Sequence, residues 1–232
     1  MLKSRSLFIL DFDGVLFDSA FEVYQVCIAL IKQGLVKRSD VELDEFMLFR
    51  KKVRDAWEFS YLLNKTGISI PDRPDNEDKE FSNLFFKARK ELYCGKEWAF
   101  NIKPYPFFYN IKDYLISYPD QFKILSTRNE ESIKTILEVN NIMNIEIFGQ
   151  SAVKAAGSKI QAAEKGGLLN HSALSMYIDD MTDHLSPFIG KVDFALHAGW
   201  GYGDQTLKSV NTDTTAKIVN ALIQMDEQHE VQ

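Results

Sequence analysis

The chain has 232 residues, 45% of them hydrophobic and 26% charged, with a formal net charge of −6 at pH 7. This composition fits a globular protein of one large domain, or a core domain holding an insertion, and the acidic balance argues against nucleic acid or an anionic membrane as the main partner. Two cysteines, Cys27 and Cys94, make no disulfide framework and point to a reducing cytoplasm, and no apolar run is long enough to span a bilayer.

The first predicted element is a strand over Leu7 to Leu10, which runs directly into Asp11, Phe12, Asp13 and Gly14. Asp11 and Asp13 interrupt the apolar run too early for a signal segment. In an extended chain residues i and i+2 share a face, so the two carboxylates are expected to look into the same space. At about 4 Å their repulsion is on the order of 4 kcal/mol for an effective dielectric near 20. A fold keeps such a pair only where a cation, a shared proton or water offsets it, which points to a metal or proton-transfer site.

Residues 20 to 100 read as helical, with a loop near Pro71 to Pro74. The spacing predicts one helix with Phe46, Phe49, Val53 and Trp57 on one side, and another containing Phe81, Leu84, Phe85 and Leu92. The basic cluster Arg50, Lys51, Lys52 and Arg54 reads first as a solvated helix face, and second as a contact for a substrate's leaving group. The α/β pattern resumes near Lys103-Pro104-Tyr105-Pro106. Further strands are expected at Phe122 to Leu125, Ile145 to Phe148, Met176 to Ile178 and Val192 to Leu196. Between them lie a helix after Asn129 with Ile133, Ile136 and Leu137 inward, and one capped by Ser158 that ends at Gly166-Gly167. A terminal helix carries Val219, Leu222 and Ile223. Strand alternating with helix implies an α/β fold, a doubly wound parallel-sheet (Rossmann-like) core, with an inserted α-helical cap. The expected division is 1–19 with 101–232 as the core and 20–100 as the cap. An insertion after the first strand is expected over the strands' C-terminal edge, where such sheets bind ligands.

Three of the apolar runs end in groups of a catalytic kind. The first ends at Asp11 and Asp13, the second at Ser126 and Thr127, and the third at Asp179 and Asp180, with Asp183 close by. A doubly wound sheet brings these ends to one edge, and Lys159 lies between the last two in sequence. At these residues the chain resembles the haloacid dehalogenase-like superfamily, specifically its Mg2+-dependent phosphatases. DFDGVLFDS is similar to the first motif of that family, ILSTRN to the second, GSKIQAAEKGG to the third through Lys159, and YIDDMTDH to the acidic fourth. HAGWGYG, residues 197–203, resembles a loop of the phosphoglycolate-phosphatase-like branch and reads equally as a packing turn anchored by Trp200.

The resemblance implies a phosphomonoesterase acting on a small phosphorylated metabolite. Asp11 would be the nucleophile, Asp13 the general acid and then base, Ser126 a hydrogen-bond donor to the phosphoryl group, and Lys159 a charge partner. Mg2+ would be held by Asp11, by the backbone carbonyl of Asp13 and by a fourth-motif acid among Asp179, Asp180 and Asp183. Thr127 competes with Ser126, and Lys154 with Lys159. His184 reads as a loop histidine facing solvent. A phosphomutase, or a weakly catalytic protein-binding module on the same scaffold, stays open beside the phosphatase. Asp13 favours phosphoryl over haloacid chemistry, because a dehalogenase does not need the second Asp.

Overall fold

The structure is a computed structural model and describes residues 5–93, 97–170, 173–203 and 208–230. Cys94 lies outside them. The chain forms two compact units, Met1–Asp18 with Lys103–Gln232, and Ser19–Ile102. In chain order the elements are β1 (Leu7–Leu10), β2 (Phe17–Asp18), α1 (Ala20–Lys32), α2 (Leu43–Arg50), α3 (Ser60–Leu63), α4 (Asn76–Leu92), β3 (Lys103–Pro104), α5 (Pro106–Ser117), β4 (Phe122–Leu125), α6 (Glu130–Val139), β5 (Glu146–Phe148), α7 (Gln150–Ala156), α8 (Lys159–Lys165), β6 (Ser175–Asp179), α9 (Thr182–Leu185), β7 (Phe194–Ala198), β8 (Ser209–Val210) and α10 (Thr212–Glu230).

The first unit holds a six-stranded sheet in the order β5-β4-β1-β6-β7-β8, with each neighbouring pair parallel. β1 sits centrally because Leu7 to Leu10 are all buried and require cover on both faces. The chain passes from β1 to β4 and β5 on one side, and to β6, β7 and β8 on the other. The carboxyl ends of β1, β4 and β6 therefore lie side by side at a topological switch point. On β6, Tyr177 is fully buried and stacks on Phe188 with centroids 3.8 Å apart. Burying one such large apolar side chain contributes about 2 kcal/mol. β2 and β3 form a separate antiparallel ribbon. The predicted Ser158 cap is present and accepts from Gln161 N–H, and Asn129 caps α6 by accepting from Ser132 N–H.

The second unit is helical around an aromatic column. Phe59 stacks between Phe46 and Phe85, 5.6 Å from each. The expected single helix through Phe46, Phe49, Val53 and Trp57 is not formed. α2 stops at Arg50, whose guanidinium donates back to the Val53 carbonyl oxygen. A new 3-10 turn then starts behind Asp55, closed by a capping box with Glu58. The local cap won over the continuing apolar period. α4 contains Phe81, Leu84, Phe85 and Leu92, but only Phe81 and Phe85 of these are buried and Leu92 is exposed.

Candidate active site

The peptide N–H of Asp11 donates to the Ile178 carbonyl oxygen at 2.9 Å, extending the β1–β6 ladder one residue past β1. Asp11 thereby lands beside Asp179, the last residue of β6. Ligand oxygens of Asp11, Asp179 and Asp180 lie within 4.8 Å of one another, and all three residues are buried. Lys159, at the start of α8, reaches in with its Nζ 3.0 Å from Asp11 Oδ1 and 2.7 Å from Asp179 Oδ2. Lys154 is exposed on α7. The geometry thus brings Lys159, and not Lys154, to the acids.

The extended alternation that paired Asp11 with Asp13 does not continue past β1. The strand ends at Leu10. The chain then folds into a tight turn in which Leu16 N–H and Phe17 N–H both donate to the Phe12 carbonyl. Gly14 makes the turn at φ +87°, and a Cβ there would fall 2.3 Å from Asp180 Oδ2. The Asp11 carboxylate accepts from Phe12 N–H at 2.7 Å. The Asp13 carboxylate instead pairs with Arg128 at 2.9 Å and is not among the three clustered acids. Asp183, offered as a metal ligand by the resemblance of YIDDMTDH to the family's fourth motif, sits exposed in the first turn of α9 and is also outside that group. It belongs to the helical turn that begins after Met181, past the end of β6 at Asp179.

Ser126 is buried at the end of β4, while Thr127 is exposed. Ser126 Oγ accepts from Arg128 N–H at 3.3 Å. Asp180 is fixed by the 197–203 loop: its Oδ2 accepts from Tyr202 N–H at 2.6 Å and from Gly203 N–H at 3.1 Å. A Cβ on Gly203 would sit 1.6 Å from the Asp180 carbonyl oxygen, so no other residue fits there. Trp200 anchors the loop, donating from Nε1 to the Val15 carbonyl oxygen and packing on Phe107. His197 Nε2 lies 2.9 Å from the Asp180 carbonyl oxygen and must carry the proton there, since a carbonyl only accepts.

Three contacts had no place in the sequence reading. Arg128 pairs with Asp13. The Tyr177 hydroxyl donates to Asp179 Oδ2; residue 177 lies two before Asp179 on one strand, so the period of two was the available signal. His184 lies in the short helix α9 and not in a loop, half-buried with Nδ1 3.8 Å from Asp179 Oδ2.

The electrostatics follow from burial. Removal from water pushes the Asp11 carboxyl well above the usual range; Lys159 opposes the rise, and Asp179 and Asp180 add to it. Burial also works against the Asp179 carboxylate, but Lys159 and then His184 outweigh it and hold Asp179 low. Lys159 is held protonated by Asp11 and Asp179 against its own burial. Asp11 and Asp179 share the Lys159 ammonium, and Asp180 brings a third carboxylate into the same group. A small divalent cation with a preference for oxygen fits that donor set.

No protein-family model and no curated protein matches this sequence. Solved structures do match its fold. A haloacid dehalogenase-like family hydrolase from Streptococcus pneumoniae is 14% identical, with a TM-score of 0.64 over 94% of this chain and 100% of that one. A protein described as a predicted phosphatase from Clostridium acetobutylicum is 16% identical, with a TM-score of 0.63 over 94% and 99% of the two chains. One described as a predicted phosphoglycolate phosphatase from Haemophilus somnus is 13% identical, with a TM-score of 0.59 over 94% and 100%. The chain therefore has the haloacid dehalogenase-like fold, a parallel α/β core with a helical second unit. Among the described residues no helix is long and apolar enough to cross a membrane.

Proposed function

We propose that the protein is a Mg2+-dependent phosphatase that hydrolyses a small phosphomonoester through an aspartyl-phosphate on Asp11. The observation that carries this reading is the group formed by Asp11, Asp179 and Asp180 around Lys159 at the switch point of the sheet, next to the strand end that bears Ser126. The fold shared with the hydrolases named above supports it.

An oxygen of the Asp11 carboxylate attacks phosphorus, and the bond from phosphorus to the ester oxygen breaks. The leaving oxygen takes a proton from Asp13. In the second step water attacks the phosphorus, Asp13 takes its proton, and the bond to Asp11 breaks to release phosphate. Ser126 donates a hydrogen bond to the phosphoryl oxygens, and Lys159 keeps the Asp11 side chain aimed while offsetting charge. Bound Mg2+, held by the carboxylates of Asp11, Asp179 and Asp180 and the Asp13 carbonyl, would neutralise charge on the phosphoryl group. Residues 20–100 serve as the domain that selects the substrate. The two cysteines in 232 residues support a reducing compartment such as the cytoplasm.

The test is phosphate release from p-nitrophenyl phosphate and from a panel of phosphorylated metabolites, with and without Mg2+. Wild type should turn over only with the metal. Asp11→Asn should lose activity by a factor on the order of 10³ or more. Full activity in Asp11→Asn would sink the mechanism.

A further inference from the structure

Arg128 has a side chain only 1% exposed, yet it pairs with an Asp13 side chain that is 21% exposed. A guanidinium withdrawn from water costs several kcal/mol unless it is well compensated, and its partner here keeps one side toward solvent. The surroundings of Arg128 are heavily determined. Its peptide N–H is tied to Ser126 Oγ at 3.3 Å. Its carbonyl accepts from Gln150 N–H at 2.8 Å, at the start of α7. A Cβ on Gly149 would come within 2.9 Å of that same carbonyl oxygen, so the main chains meet there without slack. Its Nε donates to Ser132 Oγ at 2.5 Å, in the first turn of α6. The guanidinium lies 5.9 Å from the centre of the Phe12 ring.

On the other side of the ion pair the chain is a turn. Asp13 follows the end of β1 and precedes Gly14 at φ +87°. Its side chain extends from that turn to meet a cation held from β4, α6 and α7. A guanidinium suits this position because its planar fork lets Nε hold Ser132 while Nη1 holds Asp13; a lysine has one nitrogen for both.

From this geometry we infer that Arg128 is a positioning residue for Asp13, fixing through Ser132 the direction in which the Asp13 carboxyl meets the leaving oxygen. The inference rests on the phosphatase reading given above. Arg128 acts through Asp13, so its loss should matter where proton delivery matters and nowhere else.

The experiment is a double-mutant cycle on single-turnover phosphoryl transfer, with an alkyl phosphate and with p-nitrophenyl phosphate. The alkyl leaving oxygen needs a proton, whereas the nitrophenolate departs with little help. General acid catalysis contributes roughly 10²–10⁴-fold. Arg128→Gln should therefore slow the alkyl ester on the order of 10- to 100-fold and the aryl ester far less, with KM nearly unchanged. In an Asp13→Asn background the same substitution should change the rate by no more than about twofold. Ser132→Ala keeps the buried charge and tests the same path if Arg128→Gln does not fold; it should give a smaller loss with the same dependence on the leaving group. Equal losses for both esters, losses that multiply independently of Asp13, or a rise in KM in place of a fall in rate each overturn the proposal. A wild-type protein that turns over no phosphoester overturns the phosphatase reading, and the proposal falls with it. Active wild type with independent losses overturns the proposal alone.

Discussion

Each unit of this protein buries a carboxylate, and the two are treated in opposite ways. In the second unit Asp78 is fully buried. It accepts from Ser60 Oγ at 2.7 Å, Tyr61 Oη at 3.1 Å, Lys65 Nζ at 3.0 Å and Asp75 N–H at 3.2 Å. Burial pushes its carboxyl up, but those donors, Ser60 and Lys65 foremost, outweigh it and hold Asp78 below the usual range. In the first unit Asp11 is equally withdrawn from water, has two more acids beside it, and shares its ammonium with Asp179. There burial wins and the Asp11 carboxyl is driven up. A carboxylate surrounded by donors holds a fold together. A crowd of carboxylates short of positive charge stores unfavourable energy that a bound cation releases.

The largest test of this contrast is stability. Asp78→Ala leaves the largely buried Lys65 without its innermost partner and strands two hydroxyls, at an expected cost of about 3 kcal/mol. Asp11→Asn removes one like charge from a crowded site and keeps an acceptor for Phe12 N–H. Without metal it should stabilise the protein by on the order of 1 kcal/mol, even as it removes turnover. Chemical denaturation in the presence of a chelator measures both. If Asp11→Asn destabilised the fold as Asp78→Ala does, the two carboxylates would be the same kind of group.

The next test is the pH dependence. Asp78 titrates lower in the folded chain than in the unfolded one. Its contribution is present above the unfolded value, near 3.9, and is lost as pH falls through the folded value. Asp179, held low by Lys159 and His184, is lost on the same acid limb. Asp11 has the other sign. Its raised folded pKa means that stability is lost as pH rises from the unfolded value through the folded one. Metal-free protein should therefore weaken toward neutral pH, and Mg2+ should restore it. At about 100 times its dissociation constant the ion adds roughly 2.7 kcal/mol. The gain in melting temperature on adding Mg2+ should be larger at pH 7.5 than at pH 5 and absent in Asp180→Ala. Equal gains at both pH values would remove Asp11 from the metal site.

Much of this arrangement is legible in the sequence, for a physical reason. Strands buried on both faces leave short apolar runs, and a parallel sheet sends their carboxyl ends to one edge. Asp11, Ser126 and Asp179 thus announce their neighbourhood by position alone, whereas Lys159 is singled out only by the resemblance of GSKIQAAEKGG to a family motif. What stays hidden depends on turns. Asp13 and Asp183 each lie a few residues past a strand end, where the chain no longer alternates, and neither carboxylate joins the three clustered acids. Arg128 sits in a turn with no period at all, so its contact with Asp13 has no sequence signature. In the second unit the spacing of Phe46, Phe49, Val53 and Trp57 fits a helix, but Asp55 and Glu58 carry a capping box. A cap just inside an apolar period was the stronger signal.

The smallest effect separates the two environments most finely, because it concerns a single neutral donor. The Tyr177 phenol is buried and donates a hydrogen bond to Asp179 Oδ2, the same oxygen that meets Lys159. Burial first, and then Asp179, drive the phenol well above its ordinary pKa, so it stays a donor. Tyr177→Phe keeps the stack on Phe188 and deletes only the hydroxyl, so the metal-free protein should lose about 1 kcal/mol. Asp179 retains Lys159 at 2.7 Å and Met181 N–H at 2.8 Å. The freed lone pair is then open to a cation, and Mg2+ should bind a few-fold more tightly, by roughly 0.5–1 kcal/mol. Calorimetric titration of Mg2+ into Tyr177→Phe reads the change directly. Weaker binding would mean that the hydroxyl orients Asp179 for the metal and does not compete with it. The corresponding deletion in the second unit, Ser60→Ala, should also cost about 1 kcal/mol but leave Mg2+ affinity unchanged. The same donor-to-carboxylate bond thus has a ligand-dependent consequence only where the carboxylates outnumber the charges that hold them.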